Sequence, residues 1–201
     1  AIKSDNGSLI WKNKASSYIG ASPIYDSETK MVYVGLENST LKGTMAAIEI
    51  VNGDIVWEFT TNDHVACRAA VGKKDIIIFG SNDGFIYACK KTSGELLWKF
   101  RTHGENKGRI TIENSLCYAT SFDGHMYCLD LNGKLIWKKK LGNILYNEPV
   151  ICNDKVIVGS YSNQLTALDK KSGKVLWHFM TNGPIQSYPF VENGVVYFGE
   201  I

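Results

Sequence analysis

Five tryptophans, at positions 11, 57, 98, 137 and 177, each close the same short phrase, and this recurrence restricts the fold of the 201-residue chain more than any other feature. The copies read Asn6-Gly7-Ser8-Leu9-Ile10-Trp11, Asn52-Gly53-Asp54-Ile55-Val56-Trp57, Ser93-Gly94-Glu95-Leu96-Leu97-Trp98, Asn132-Gly133-Lys134-Leu135-Ile136-Trp137 and Ser172-Gly173-Lys174-Val175-Leu176-Trp177. Successive tryptophans are 46, 41, 39 and 40 residues apart, and a glycine stands four residues before each one. A period near forty with short strands inside it marks a β-propeller blade, whereas helical repeats of that length show apolar spacings of three and four. The local pattern is strand-like. In the fourth unit it predicts strand A near Glu148 to Ile151, strand B at Lys155 to Gly159, strand C at Gln164 to Leu168 and strand D at Lys174 to Phe179, separated by Asn153-Asp154, Ser162-Asn163 and Lys171-Ser172-Gly173 turns. The same parse puts strand B at Met31 to Gly35, Asp75 to Gly80, Ser115 to Thr120 and Val195 to Gly199. Gly43, Gly84 and Gly124, with Asn163 in the fourth unit, are expected in the B–C turn at positive φ. Extra residues at Leu36 to Lys42 account for the longest spacing.

Each blade is a twisted sheet that cannot bury both faces alone. A large ring from strand D is therefore expected to fill the gap against the next blade, burying on the order of 150–250 Å². On this reading Trp11, Trp57, Trp98, Trp137 and Trp177 are structural, as are Gly7, Gly53, Gly94, Gly133 and Gly173.

One stretch of the fourth unit, Thr166-Ala167-Leu168-Asp169-Lys170-Lys171-Ser172-Gly173-Lys174-Val175-Leu176-Trp177, resembles the quinoprotein-type (PQQ-like) repeat, and weaker copies precede Trp57 and Trp137. Ala21-Ser22-Pro23-Ile24 and Ser187-Tyr188-Pro189-Phe190 are similar to that family's strand A. The resemblance covers essentially the whole chain and implies an all-β propeller of four-stranded antiparallel blades. It leaves activity open, because propellers of this kind serve as dehydrogenases and as non-catalytic modules. The quinone-binding dehydrogenases have an adjacent Cys-Cys pair and a stacking tryptophan outside the repeat; this sequence has neither, so no cofactor and no catalytic residue are expected.

Blades are expected at about 20–60, 65–101, 106–140 and 145–180, with a fifth split between 185–201 and 1–13 in a single domain over 1–201. A five-bladed ring is the favoured reading; the alternative is part of a ring of seven or eight. Ala1 opens the sequence with no basic and apolar leader before it, which leaves localisation open at that end.

Net charge is +2 with the basic residues dispersed, so nucleic acid is not an expected partner, and no apolar run is long enough to span a membrane. The five cysteines (Cys67, Cys89, Cys117, Cys128 and Cys152) include no C-x-x-C pair, which argues for reduced core thiols and mildly for a cytoplasmic location. His64, His103, His125 and His178 have no metal-binding spacing, so no metal is expected. Asp83-Gly84 and Asp123-Gly124 read as turns. Asn6-Gly7-Ser8 and Asn38-Ser39-Thr40 match the glycosylation acceptor pattern and carry no weight alone.

Function is sought where strand A lines the central channel. Aligned positions place Ser22, Arg68, Arg109, Glu148 and Tyr188 around the ring, with His64, Lys107, Tyr146 and Gln186 just before them at the mouth. The two arginines, Lys107 and His64 can form a cationic mouth for a carboxylate or phosphate. The competing reading pairs Arg68 or Arg109 with Glu148 inside a wet channel. The function expected is a non-catalytic module that binds a protein or small ligand through its loop face or channel mouth. A quinoprotein oxidoreductase fragment and an envelope assembly scaffold are the alternatives, and oligomeric state is left open.

Overall fold

The computed structural model describes residues 1–13, 18–37 and 42–201. Most of the expected insertion and the Asn38-Ser39-Thr40 triplet lie outside the described residues. Blade 1 is β1 (Ile24–Asp26), β2 (Met31–Glu37), β3 (Gly43–Glu49) and β4 (Ile55–Thr61). Blade 2 is β5 (Ala70–Gly72), β6 (Ile76–Gly80), β7 (Phe85–Lys90) and β8 (Leu96–Arg101). Blade 3 is β9 (Thr111–Glu113), β10 (Leu116–Thr120), β11 (His125–Asp130) and β12 (Leu135–Lys140). Blade 4 is β13 (Val150–Cys152), β14 (Lys155–Ser160), β15 (Gln164–Asp169) and β16 (Val175–Met180), and β17 (Phe190–Glu192) with β18 (Val195–Tyr197) follows as a two-stranded sheet. Within each blade the strands pair antiparallel in sequence order, and the first strands of successive blades approach one another around the axis. The architecture is an all-β propeller of four-stranded antiparallel blades.

Strand A starts where a proline stops interfering. β1, β13 and β17 begin directly after Pro23, Pro149 and Pro189, whose missing amide cannot enter a ladder. This shifts β13 two residues beyond the expected start at Glu148. Gly43 also departs from expectation. It is the first residue of β3, paired with Glu37 and Thr61, and its φ is not positive. A β-carbon there would press on the Asp63 carbonyl, so this glycine permits close backbone approach instead of a turn. Gly84, Gly124 and Asn163 keep the expected positive φ.

The core lies between blades. One cluster joins Tyr33, Met45 and Trp57 of blade 1 to Ile77, Phe79 and Tyr87 of blade 2, and two more join blades 2 to 3 and 3 to 4. Four of the five indoles, those of Trp11, Trp57, Trp98 and Trp137, lie on the phrase glycine of the following blade. A β-carbon on Gly53, Gly94, Gly133 or Gly173 would come within 2.5–2.7 Å of Trp11, Trp57, Trp98 or Trp137 respectively. The indole Nε1 also donates to the adjoining turn: Trp11 to Ile50 O at 2.8 Å, Trp57 to Lys91 O at 2.7 Å, Trp98 to Leu131 O at 2.8 Å and Trp137 to Lys170 O at 3.1 Å. Opposite each of the last four tryptophans stands a small residue, Ala47, Ala88, Cys128 or Ala167, and the register shifts by one immediately after it. That bulge tightens the twist and turns the indole toward the neighbouring sheet.

A polar lock works at the opposite rim. Asp83 accepts from the Asn62 amide of the preceding blade's outgoing loop at 3.1 Å, from Phe85 N at 3.1 Å and from the Tyr87 hydroxyl at 2.7 Å. Asp123 repeats the pattern with His103 N, His125 N and the Tyr127 hydroxyl. Beside the indole locks, Lys91, only 2% exposed, reaches Asp26 at 3.0 Å and Glu28 at 2.7 Å, and Lys170 reaches Glu113.

Of the two parts of the expected split blade, β17 and β18 form a two-stranded sheet with no further strand paired to it among the described residues, and residues 1–13 lie against blade 1 through Trp11 and carry the bridge Ile2↔Leu9. Gly7 has no indole on it, and Trp177 packs instead against the cluster of Ile157, Leu165, Ala167 and Ile185, which Val191, Val196 and Phe198 also border. The indole of Trp11 lies on Gly53, which seats the N-terminal segment on blade 1.

Two predictions follow from the locks. Gly94→Ala adds a β-carbon at a φ of +71° and 2.6 Å from an indole carbon, so chemical denaturation should show a loss of about 2–4 kcal/mol. Gly7→Ala, at φ +70° in open space, should lose only about 1 kcal/mol, and equal losses at the two sites would refute the lock. Burial alone would raise the Asp123 carboxyl, but the Tyr127 hydroxyl and the His125 and His103 amides outweigh it and hold the group below the usual carboxylate range. A depressed folded value means its stabilisation is complete above the unfolded pKa of about 4 and is lost as pH falls through the folded one. Asp123→Asn should therefore cost about 1–2 kcal/mol at pH 7, with the difference from the parent shrinking below about pH 4.

Candidate functional site

Ser22, Glu148 and Tyr188 each immediately precede a proline, which holds them extended as the chain enters the inner strand. Arg68 and Arg109 occupy the same place in blades 2 and 3 without one. The structure brings four of these five residues together. Arg109 Nη1 lies 3.3 Å from Glu148 Oε2, its Nη2 is 3.5 Å from Ser22 Oγ, and its guanidinium stands 4.5 Å over the Tyr188 ring. Arg109 is thus the arginine that pairs with Glu148, and it links blades 1, 3 and 4 and the β17–β18 sheet across the axis.

Arg68 does not join this group. It borders a cavity of about 190 Å³ together with Ile24, Val71, Arg109, Ile112 and Glu148, and it makes no hydrogen bond or ion pair among the described residues. A second channel cavity, about 250 Å³, is lined by Thr111, Glu148, Val150, Ile151 and Tyr188.

The residues just before the ring do not converge on one anion. His64 Nδ1 is 3.4 Å from Glu37, Lys107 is paired with Glu105 and stands 5.1 Å over the Phe122 ring, and the Tyr146 ring lies 6.0 Å from that ring. Gln186 is exposed. The four side chains of the expected cationic mouth therefore do not gather into one, because His64, Lys107 and Arg109 each lie within 4 Å of a carboxylate of their own. On the loop face a shallow cavity of about 290 Å³ opens between Asp83, Arg101, His103 and Glu105.

Other chemistry-bearing groups serve the scaffold. Asp169, the last residue of β15, caps its turn by accepting from Ser172 N and Oγ, bonds that lower its carboxyl below the usual range. All five cysteines are free. Burial pushes the Cys67 thiol up to about 11, those of Cys89 and Cys128 up to about 12, and that of Cys117 upward as well. Among the described residues no group of three or more His, Cys, Asp or Glu side chains is placed to hold a metal, and no helix is long and apolar enough to cross a membrane. Sequence reasoning missed Lys91 and Lys170; the available signal was a lysine recurring after strand C while acidic residues recur in or beside the preceding A–B turn.

Comparison with known proteins agrees with this geometry. The family model described as outer membrane protein assembly factor BamB, a PQQ-type repeat model, matches residues 41–143 and 123–200. The chain belongs to that family. Among curated relatives, tetrathionate hydrolase of Acidithiobacillus ferrooxidans is 24% identical over 181 residues, covering 76% of this chain and 36% of the relative. BamB of Yersinia pestis is 24% identical over 206 residues, covering 88% of this chain and 50% of the relative. The crystal structure of BamB from Moraxella catarrhalis superposes with a TM-score of 0.66 at 17% identity, covering 96% of this chain and 72% of that one, and shares the fold. The BamB-family chain thus spans half or less of the length of these two curated relatives.

Thiol chemistry gives a direct check on this BamB-family fold. Reaction with a disulfide reagent proceeds through the thiolate, so Cys152, the one cysteine that is not buried, should label first in the native state and the other four only on unfolding. A native count of two or more fast thiols would contradict the packing.

Proposed function

We propose that the chain is a non-catalytic binding propeller that engages a protein partner through the channel mouth and loop face. The observation that carries this reading is the use made of reactive side chains. Arg109, Glu148 and Tyr188 tie inner strands to one another, Asp83 and Asp123 clamp loops between blades, and the buried thiols are held protonated. Catalysis needs a nucleophile or base poised toward a substrate. Here those groups are spent on rigidity, and a rigid ring presents loops in fixed geometry.

Within that reading, an envelope assembly role is supported by the family description and by BamB relatives over 88% of the chain. An enzymatic role draws support from the tetrathionate hydrolase relative alone among those described above, and only over 36% of that protein. A cytoplasmic location fits the unpaired cysteines, and buried, protonated thiols resist oxidation in either compartment.

The test is site-specific photo-crosslinking. A benzoylphenylalanine at Gln186, on the mouth, should capture a discrete partner in cells of the source organism, whereas the same group at Lys139, on the outer strand of blade 3, should capture little. Equal capture at the two sites, hydrolysis of tetrathionate by the purified chain, or tight binding of PQQ with Ca²⁺ and dye-linked oxidation would each overturn the reading.

A further inference from the structure

We infer that Arg68 is the docking cation for an acidic side chain presented by the protein partner, an inference that rests on the binding reading above and names what the channel mouth recognises. Of the five aligned inner positions two are cations and one is an anion, so the set Ser22, Arg68, Arg109, Glu148 and Tyr188 carries one positive charge in excess. The geometry decides where that excess sits. Glu148 is engaged by Arg109 at 3.3 Å, and the remaining face of Arg109 is covered by Tyr188. In the order of the blades Arg68 stands between Ser22 and the like-charged Arg109, and it shares a cavity wall with Arg109. Its side chain is partly buried, so it has lost hydration without gaining a carboxylate. A guanidinium in that state is a preorganised fork for a planar anion.

The space beside it selects the class of anion. The cavity of about 190 Å³ has apolar walls from Ile24, Val71 and Ile112. It is too small for a folded segment but has room for a short side chain that ends in a carboxylate. Glu148 on the same rim disfavours a phosphate dianion, because a second negative charge on the ligand meets it directly, while a single carboxylate is balanced by Arg68. An aspartate or glutamate side chain entering from a partner's loop satisfies the cation, the apolar walls and the charge limit together.

The experiment follows the Arg Nε–Hε resonances of the ¹⁵N-labelled chain. Three probes are titrated to tens of millimolar: N-acetyl-glutamate methylamide, its neutral glutamine counterpart and inorganic phosphate. The expected result is a saturable shift of the Arg68 signal with the glutamate probe only, abolished in R68Q, weakened about tenfold in R68K and strengthened several-fold in E148Q. R68K keeps the charge and the fold, so a loss seen in R68Q but graded in R68K reports on the site and not on unfolding. Unchanged affinity in R68Q, or phosphate binding as tightly as the glutamate probe, overturns the inference. If R68Q leaves the Gln186 photo-adduct undiminished and the probe shifts nothing, this inference fails and the binding reading survives. If the parent chain forms no adduct, the binding reading fails while the titration still judges Arg68.

Discussion

An indole laid on a bare glycine is the contact from which the rest of this molecule is built. Each four-stranded sheet exposes two faces, and a lone sheet of that size is marginal in water. A tryptophan at the end of one blade closes the gap to the next only because the receiving residue has no side chain. The same glycine also has to bend the turn through positive φ, so one residue type meets two demands at Gly53, Gly94, Gly133 and Gly173. The indole N–H then finds a carbonyl of the receiving turn, which removes the cost of burying a donor unpaired.

Around that contact the interface acquires a second fastening of different chemistry. The indole locks hold the rim where strands C and D turn, together with the buried Lys91 and its two carboxylates, while Asp83 and Asp123 hold the rim where the chain passes to the next blade. Two fastenings on opposite rims resist both hinging and sliding. The channel side chains therefore sit on a frame whose spacing is fixed, and this is why Arg109 can reach Glu148, Ser22 and Tyr188 at once.

Much of the fold was legible in the sequence. Strands B and C lie within a residue or two of their expected places, because β-branched and aromatic runs between Asn, Asp and Gly turns leave little choice. The misses have physical causes. Strand A of blade 4 starts late because Pro149 cannot donate, and Gly43 sits in β3 because the backbone at Asp63 crosses it closely. The candidate site was legible only as a set of aligned positions. Its division into Arg109, Lys107 and His64, each beside a carboxylate, and an unpaired Arg68 depends on acidic groups at Glu37, Glu105 and Glu148, whose reach no spacing reveals.

By itself the sequence determined the repeat, the strand-turn pattern within it and the structural task of its tryptophans, because each of these follows from residue types recurring in register within one blade. Tertiary structure alone decided which glycine receives which indole, that residues 1–13 lie on blade 1 and not beside β17 and β18, and which arginine of the channel keeps an open charge. The reason is one of range. Hydrogen-bond ladders and turns are settled by neighbours a few residues apart, whereas charge pairing and blade docking join residues some 30 to 90 apart, where small differences in distance decide which carboxylate meets which cation.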